Sequence, residues 1–237
     1  MRVGRWMGKW CAVKSFDIEI YTQDCTAGET VIDVQGQKTA FEREKSIMMR
    51  LQDLPHPNII QCYGTSSFEI YLELYPMNLG TYLNQTKKIS METIHSWMKQ
   101  LLSALEFVHN HHIYHNDVSL TNILIVPCTN RIVLADWGLS RYLPNLVDTY
   151  LIEHDRQQDA LNLRRVFIRL LTHCESETMA RMMYDTEFTL DVCPHTPDGQ
   201  RREAILHDPQ ARSFVSNMFS ETFTIDELAQ DPWMKGD

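Results

Sequence analysis

The sequence predicts an α+β fold in two lobes, a reduced β-rich N-terminal lobe and a mainly α-helical C-terminal lobe. Up to about residue 75 the apolar residues fall in short strand-like runs with one helix between them, and after Pro76 their spacing becomes helical. The apolar share of 43% and the charged share of 22% are those of a globular protein. We expect residues 1–237 to form one domain, with 1–75 as the N-terminal lobe, 76–237 as the C-terminal lobe and a cleft between them.

The N-terminal lobe is predicted to contain strands on both sides of one helix. Residues 10–16 form a short β-like run, and residues 62–75 are typical of two strands joined by a turn. Residues 39–54 carry apolar side chains at helical spacing, and the prolines that follow end this helix. Residues 17–38 mix polar residues with two glycines, so they are predicted to form a loop.

The C-terminal lobe is predicted to be built around a long amphipathic helix. This helix covers residues 91–112, and Ser90 is a suitable N-cap for it. Two short apolar runs follow at 122–126 and 131–136, separated by a turn, which is the pattern of a β-hairpin. Further helices are predicted at 159–173, 176–185 and 211–219.

Charge and composition exclude several classes of protein. The net charge of −9 argues against nucleic-acid binding through a basic surface. No apolar run reaches the roughly 18 residues of a membrane-spanning helix, and the first ten residues do not form a secretory signal. The six cysteines are scattered without a C-x-x-C pair, which favours reduced thiols. We therefore expect an intracellular protein, cytoplasmic or nuclear, with no nucleic-acid or membrane partner.

Polar residues at the predicted hairpin suggest a phosphate-transfer site. Asn122 opens one strand and Asp136 closes its partner, so the hairpin brings together an amide and a carboxylate, oxygen ligands that suit Mg²⁺. Asp117 lies one loop away, where it could orient or deprotonate an attacking hydroxyl. Lys14 is a candidate cation for the phosphates, and Glu44 on the predicted helix could hold it by an ion pair.

The order of these segments resembles a eukaryotic protein kinase domain. "CAVK" resembles the strand with the phosphate-binding lysine, and "FEREKSIM" followed by "HPNII" resembles the helix with the paired glutamate. "IYLELYPMNLGTYL" resembles the hinge, "HNDVSLTN" the catalytic loop and "DWG" the metal-binding turn. "QDALNLRRVFIRLL" resembles the buried helix that starts with an aspartate, here Asp159, and "TIDELAQDPWM" the end of the domain. The resemblance covers nearly the whole chain.

The resemblance implies a role for each matched residue. Asp117 would be the catalytic base, Asn122 and Asp136 would hold Mg²⁺, and Lys14, paired with Glu44, would contact the α- and β-phosphates of ATP. The residues around adenine would be Ala12 and Leu124 on its faces, Leu72 at the gatekeeper position, and the backbone of Glu73 and Tyr75 at its edge. The implied function is transfer of the γ-phosphate of MgATP to protein Ser or Thr hydroxyls, with a protein substrate or a partner kinase as the binding partner.

The sequence departs from the family pattern at several positions. The glycine-rich loop is missing, because only 13 residues precede Lys14, and the chain is expected to begin at the family's second strand. Asn116 replaces the arginine of the catalytic loop, and Ser119 replaces its lysine, which removes positive charge near the transferred phosphate. No A-P-E occurs in the short segment between Asp136 and Asp159, so the substrate-docking region is expected to be remodelled.

Several residues also have a simpler interpretation. His109 and His112 could share a metal on one helix face, but histidine is also favoured at helix C-termini by the helix dipole. His115 is expected to be a buried structural residue of the catalytic loop, and Trp137 to pack in the core. Glu42 is the nearest rival of Glu44.

Two other functions remain open at the level of sequence. The missing glycine loop and the short segment after Asp136 are compatible with a catalytically impaired kinase mimic that acts as a binding module. "HND" and "DW" also resemble small-molecule phosphotransferases of the same superfamily, such as aminoglycoside and choline kinases. Gly138, "HPNII" and the ending of the chain favour a protein kinase over the latter.

Overall fold

The computed structural model describes residues 1–16, 34–86, 89–144, 148–172, 208–218, 220 and 223–236. Part of the predicted loop, 17–33, and the helix predicted at 176–185 lie outside these residues. Within the described ranges, no helix has the length and apolar character needed to cross a membrane.

The N-terminal residues form an antiparallel sheet in the order β1-β2-β4-β3. Its strands are β1 (Arg2–Trp6), β2 (Lys9–Ser15), β3 (Cys62–Ser66) and β4 (Glu69–Leu72). The strands predicted at 10–16 and 62–75 are confirmed, and β1 is the strand expected before that of Lys14. A two-residue turn joins it to β2, and both turn residues, Met7 and Gly8, have positive φ angles of 47° and 84°. Glycine adopts such angles without strain, which helps so short a hairpin to close.

Helix α1 (Val34–Gln52) packs against this sheet through one apolar face. The buried residues of that face are Phe41, Ile47, Met48 and Leu51. The helix begins five residues before the predicted start, so the loop prediction is wrong for residues 34–38. Gly36 lies in the first turn, where one glycine costs only about 1 kcal/mol relative to alanine, and burial of the apolar face can offset that cost.

The C-terminal residues begin with two helices and a small sheet. The elements are β5 (Met77–Asn78), α2 (Leu79–Gln85), α3 (Met91–Asn110), β6 (Ile113–Tyr114), β7 (Ile123–Val126), β8 (Arg131–Leu134) and β9 (Arg141–Tyr142). The predicted hairpin is confirmed as β7–β8, with β5 added at its edge, while β6 pairs with β9. Ser90 caps α3 as predicted, because its hydroxyl accepts the N–H of Thr93 at 3.2 Å.

The segment after α1 fastens the first sheet to the β7–β8 hairpin. The Ile60 N–H donates to the Leu134 carbonyl at 3.0 Å, and the Leu134 N–H donates to the Asn58 carbonyl at 2.8 Å. The buried Asn58 amide also donates to the Ile132 carbonyl and to Gln100 Oε1, both at 2.8 Å. Because buried amides are costly to leave unpaired, these bonds fix the position of the helix end relative to the hairpin.

A long helix, α4 (Thr149–Thr172), follows β9. It begins ten residues before the predicted start, so Asp159 lies inside the helix and does not begin it. The first turns were missed because their apolar residues, 150–152, are consecutive and form no helical stripe. The chain ends with α5 (Pro209–Met218), α6 (Ile225–Gln230) and α7 (Pro232–Lys235). Phe167 of α4, Phe214 of α5 and Trp233 of α7 pack together, with ring centroids 4.9–6.4 Å apart.

Candidate active site

Strand β2 and helix α1 bring Lys14 and Glu44 together. The Lys14 ammonium donates to both carboxylate oxygens of Glu44, at 2.7 and 2.9 Å, and to Asp136 Oδ1 at 2.7 Å. Glu44 is 1% exposed, whereas the alternative, Glu42, is exposed and lies 3.8 Å from Lys45. The structure therefore places Glu44, and not Glu42, at Lys14.

The charges around Lys14 keep its ammonium protonated. Burial by itself lowers the pKa of this group, but the carboxylates of Glu44 and Asp136 more than offset that effect, so its pKa lies above the ordinary value of 10.5. The pair is only partly closed to solvent, because the Asp136 side chain remains 45% exposed. The Lys14 side chain itself is 22% exposed.

Asp117 is held by the side chain of Asn122. The Asn122 amide nitrogen donates to Asp117 Oδ2 at 2.7 Å and to the Asp117 carbonyl at 2.9 Å. The Ala135 N–H donates to the Asn122 carbonyl at 2.8 Å, which places Asn122 beside the end of β8 and so near Asp136. The hairpin thus places Asn122 near Asp136, while the side chain of Asn122 holds Asp117.

His115 is a neutral imidazole that holds the loop of Asp117 by hydrogen bonds. It is fully buried, its Nδ1 accepts the Asp117 N–H at 3.2 Å, and its Nε2 lies 3.0 Å from the Ala135 carbonyl, to which it donates. Burial lowers the pKa of this ring below its usual value of 6.5. One ring nitrogen accepts and the other donates, which only the neutral form can do. Trp137 packs on the ring at 4.6 Å, so both residues are buried as predicted.

Asp159 fixes the backbone of the same loop from α4. Its carboxylate accepts the N–H groups of His115 at 2.8 Å and Asn116 at 2.7 Å, and it lies 2.8 Å from His109 Nε2. His109 is therefore a buried partner of Asp159, while His112 is exposed. The sequence pattern indicated Asp159 only as a helix start, and it carries no local signal for the buried pair His109–Asp159, whose members are 50 residues apart.

Two residues of the site have left-handed backbone angles. Asn116 has φ 65° and Asp136 has φ 62°, a conformation that is uncommon for residues other than glycine. Strain of this kind persists where the surroundings determine the backbone, and it is frequent at functional sites. A Cβ at Gly138 would lie 3.2 Å from Glu44 Oε2 and 3.4 Å from Asp136 Oδ1, so a larger residue there would require these carboxylates to shift slightly.

The apolar residues named for adenine lie on the four-stranded sheet and on the β5-β7-β8 sheet. Ala12 pairs with Leu72 between β2 and β4, and Ala12 and Lys14 share one face of β2. Leu124 lies on β7 and is half-buried. The Glu73 N–H donates to the Gln61 carbonyl at 2.9 Å, so only the carbonyl of Glu73 is left for a ligand. The Tyr75 hydroxyl donates to Glu73 Oε2 at 2.8 Å, which orders the segment after β4.

The donor set fits a hard divalent cation. Asn122 uses its amide nitrogen toward Asp117, and Asp136 uses Oδ1 toward Lys14. Among the described residues, no hydrogen bond reaches Asn122 Oδ1 or Asp136 Oδ2. One amide oxygen and one carboxylate oxygen are thus left as ligands, the type that Mg²⁺ prefers.

The two departures in the catalytic loop leave it without a cation of its own. Ser119 makes a 2.9 Å hydroxyl contact with Thr121. Both polar atoms of the Asn116 side chain are buried, and neither has a hydrogen-bond partner in the described part of the chain. Neither residue supplies the positive charge found at these positions in the resembled family.

Comparison of the sequence with known families and proteins gives a consistent result. The family model described as "Protein kinase domain" matches residues 11–158. Mitogen-activated protein kinase kinase kinase 1a of Physcomitrium patens is 34% identical over 111 residues, which are 45% of this chain and 14% of that protein. Cyclin-dependent kinase 4 of Xenopus laevis is 34% identical over 117 residues (45% and 36%), and Serine/threonine-protein kinase Wnk of Drosophila melanogaster is 32% identical over 117 residues (45% and 5%). The matched region is therefore about a third or less of each relative.

Solved structures show the same fold. The structure described as Rad53 kinase domain and SCD2 has a TM-score of 0.65 at 16% identity, covering 97% of this chain and 84% of that one. Rad53 1–466 in complex with AMP-PNP has a TM-score of 0.63 at 18% identity, covering 96% and 58%. At these identities the likeness concerns the fold alone, and it confirms the predicted two-lobed architecture.

Proposed function

Because the chain belongs to the protein kinase domain family, we propose that it is a serine/threonine-protein kinase that transfers the γ-phosphate of MgATP to a hydroxyl group of a protein. The observation that carries the proposal is the position of the Lys14 ammonium, 2.7 Å from carboxylate oxygens of both Glu44 and Asp136. Phosphoryl transfer depends mainly on positioning and on stabilising charge, and a cation fixed in this way is suited to that task.

Lys14 binds the α- and β-phosphates of ATP in this proposal. Glu44 orients the ammonium, since its buried carboxylate holds it with two short hydrogen bonds. The proposed adenine site consists of Ala12 and Leu124 on the ring faces, Leu72 behind the ring, the carbonyl of Glu73 and the backbone of Tyr75. The apolar character of the first three and the unused Glu73 carbonyl support it.

Asn122 and Asp136 are the proposed ligands of Mg²⁺, through the two oxygens that no described group engages. When bound there, Mg²⁺ supplies positive charge that neutralises the phosphates of the nucleotide. The Asn122 side chain would link this position to Asp117, because its nitrogen donates to Asp117 and its oxygen is left for the metal.

Asp117 is the proposed catalytic base. Its Oδ2 is fixed by Asn122, and its backbone N–H is fixed by His115, so the carboxylate is oriented before a substrate arrives. Oδ1 then remains to accept the hydroxyl proton of the substrate as the oxygen attacks the γ-phosphorus, while the bond from that phosphorus to the β–γ bridging oxygen breaks and ADP leaves. Because Ser119 supplies no positive charge near the transferred phosphate, we expect a turnover number that is low for a kinase.

The acceptor class is tested by transfer of labelled phosphate from ATP in the presence of Mg²⁺. Protein substrates, the chain itself and a panel of small polyols and amino alcohols are offered side by side, and phosphoamino-acid analysis identifies the product. Label on protein serine or threonine is the expected result. Label on a small alcohol with none on protein contradicts the proposal and favours a small-molecule phosphotransferase.

A binding module is the second candidate function, with a protein such as a partner kinase as its ligand. The uncharged residues Asn116 and Ser119 in the catalytic loop favour it. Thermal unfolding with millimolar MgATP discriminates, because a ligand that binds only the native state must raise the unfolding temperature. An unfolding temperature that MgATP does not raise would favour the module.

We also propose that residues 1–237 form one domain, with a lobe boundary near residue 76. The solved kinase structures support this, since their alignment covers at least 96% of the chain.

A further inference from the structure

Strand β9 is only two residues long, yet both of its side chains contact helices outside its own sheet. Its backbone pairs with β6, where Tyr142 lies opposite Ile113 and Arg141 opposite Tyr114. The Leu143 N–H extends this pairing to the His112 carbonyl at 2.9 Å. Two paired residues have little stability of their own, so the side-chain contacts must help to hold the strand.

Tyr142 connects the strand to α1. The guanidinium carbon of Arg50 lies 3.7 Å from the centroid of the Tyr142 ring, a cation–π contact. Arg50 is in the last turn of α1, and Glu44 lies six residues earlier on the same rigid helix, about 9 Å along its axis. Holding the last turn therefore limits the rotation and displacement of the helix that carries Glu44.

Arg141 connects the strand to α4 on the other side. Its guanidinium lies 3.4 Å from Asp155 Oδ1, and the ring of His154 lies 3.1 Å from the same oxygen. Asp155 is 1% exposed, and a carboxylate buried to this degree strongly resists loss of its cationic partner. Asp159, which holds the catalytic loop, lies one turn farther along the same helix.

We propose that β9 is a tie between α4 and α1 that positions Glu44 against Lys14, with Arg50 and Tyr142 as positioning residues. This inference rests on the proposed function, because it assigns further residues to the same site. Arg141 is already paired with Asp155, so the tie is complete within the unmodified chain. It needs no phosphate on the segment after Asp136.

Hydrogen exchange of the full chain without nucleotide tests the tie. Tyr142→Leu removes the aromatic face, and Tyr142→Phe keeps it while removing only the hydroxyl. We expect peptides from residues 41–52 to exchange about two- to five-fold faster in the Leu variant and at the wild-type rate in the Phe variant. This factor corresponds to the free energy of one exposed cation–π contact. Peptides from the β7–β8 hairpin, residues 123–134, should keep the wild-type rate in both variants.

A second pair of variants, Arg50→Gln and Arg50→Lys, changes the other partner of the contact. Because Arg50 is exposed, these substitutions should not prevent folding. The kcat of phosphate transfer should fall about two- to five-fold in Tyr142→Leu and Arg50→Gln. It should keep the wild-type value in Tyr142→Phe and Arg50→Lys. Equal α1 exchange in all variants overturns the tie, and so does uniform acceleration that includes the hairpin. Absence of transfer in the wild type would refute the proposed function, while the exchange comparison would still decide the tie.

Discussion

At the scale of single residues, the site depends on a few side chains whose partners are fixed by burial. Glu44 and His115 are the clearest cases, since one holds the cation and the other holds the backbone of the proposed base. Each makes specific hydrogen bonds inside the protein, and each therefore gives a prediction with a defined sign.

Glu44→Gln keeps the shape of the side chain and removes its charge. A hydrogen bond between charged groups contributes more than a neutral one, so we expect kcat/KM for ATP to fall about 10- to 100-fold. Glu42→Gln, two residues away on the exposed face of α1, is the matched control and should leave kcat/KM unchanged. Equal losses in the two variants would show that Glu44 has no special role.

Stability should decrease at acid pH because of His115. Its pKa is lowered in the folded state, so as the pH falls through 6.5 the unfolded chain takes up a proton that the folded chain resists. The contribution is fully present above pH 6.5 and is lost at up to about 1.4 kcal/mol per pH unit until the folded pKa is reached. Urea denaturation between about pH 7.5 and pH 5 measures this slope.

His115→Asn removes the titrating ring, and the pH slope should shrink in that variant. His56, whose pKa burial also lowers, contributes with the same sign, and His56→Gln should remove only a smaller share because this ring is partly exposed. An unchanged slope in His115→Asn would contradict the neutral-imidazole assignment.

At the scale of elements, helix α3 leads into the catalytic loop, and the Ser90 hydroxyl caps the start of this helix. Ser90→Ala removes the acceptor for the Thr93 N–H, and we expect the free energy of unfolding to fall by about 1 kcal/mol. Ser96→Ala on the exposed face of the same helix should change it by less than about 0.5 kcal/mol. Chemical denaturation of the two variants compares them directly, and similar values would rule out the capping effect.

The elements also show what the sequence can and cannot predict. The helix of Glu44 was predicted from the helical period of its apolar residues, and the strand of Lys14 and the β7–β8 hairpin from short apolar runs. The first ten residues of α4 and the two residues of β9 have no such period, since tertiary contacts determine them. Local patterns carry no signal for pairs such as Arg50 and Tyr142, which are distant in the sequence.

At the scale of the whole molecule, the fold brings together five polar residues from four separate segments. Lys14, Glu44, Asp117, Asn122 and Asp136 were predicted as one site because their order matched a known family, and the structure shows two hydrogen-bonded groups among them. Their distances, the unused oxygens and the support from Asp159 required the structure. The roles of these residues in catalysis stay a proposal.

Transfer of labelled phosphate by Asp117→Asn tests the central claim most directly. The substitution keeps the size of the side chain and removes the proposed base, so the rate should fall about 100- to 10,000-fold while MgATP still raises the unfolding temperature. Asp53→Asn, an exposed acid at the end of α1, is the control and should transfer phosphate at the wild-type rate. Equal rates for wild type and Asp117→Asn, at equal folding, would contradict the account.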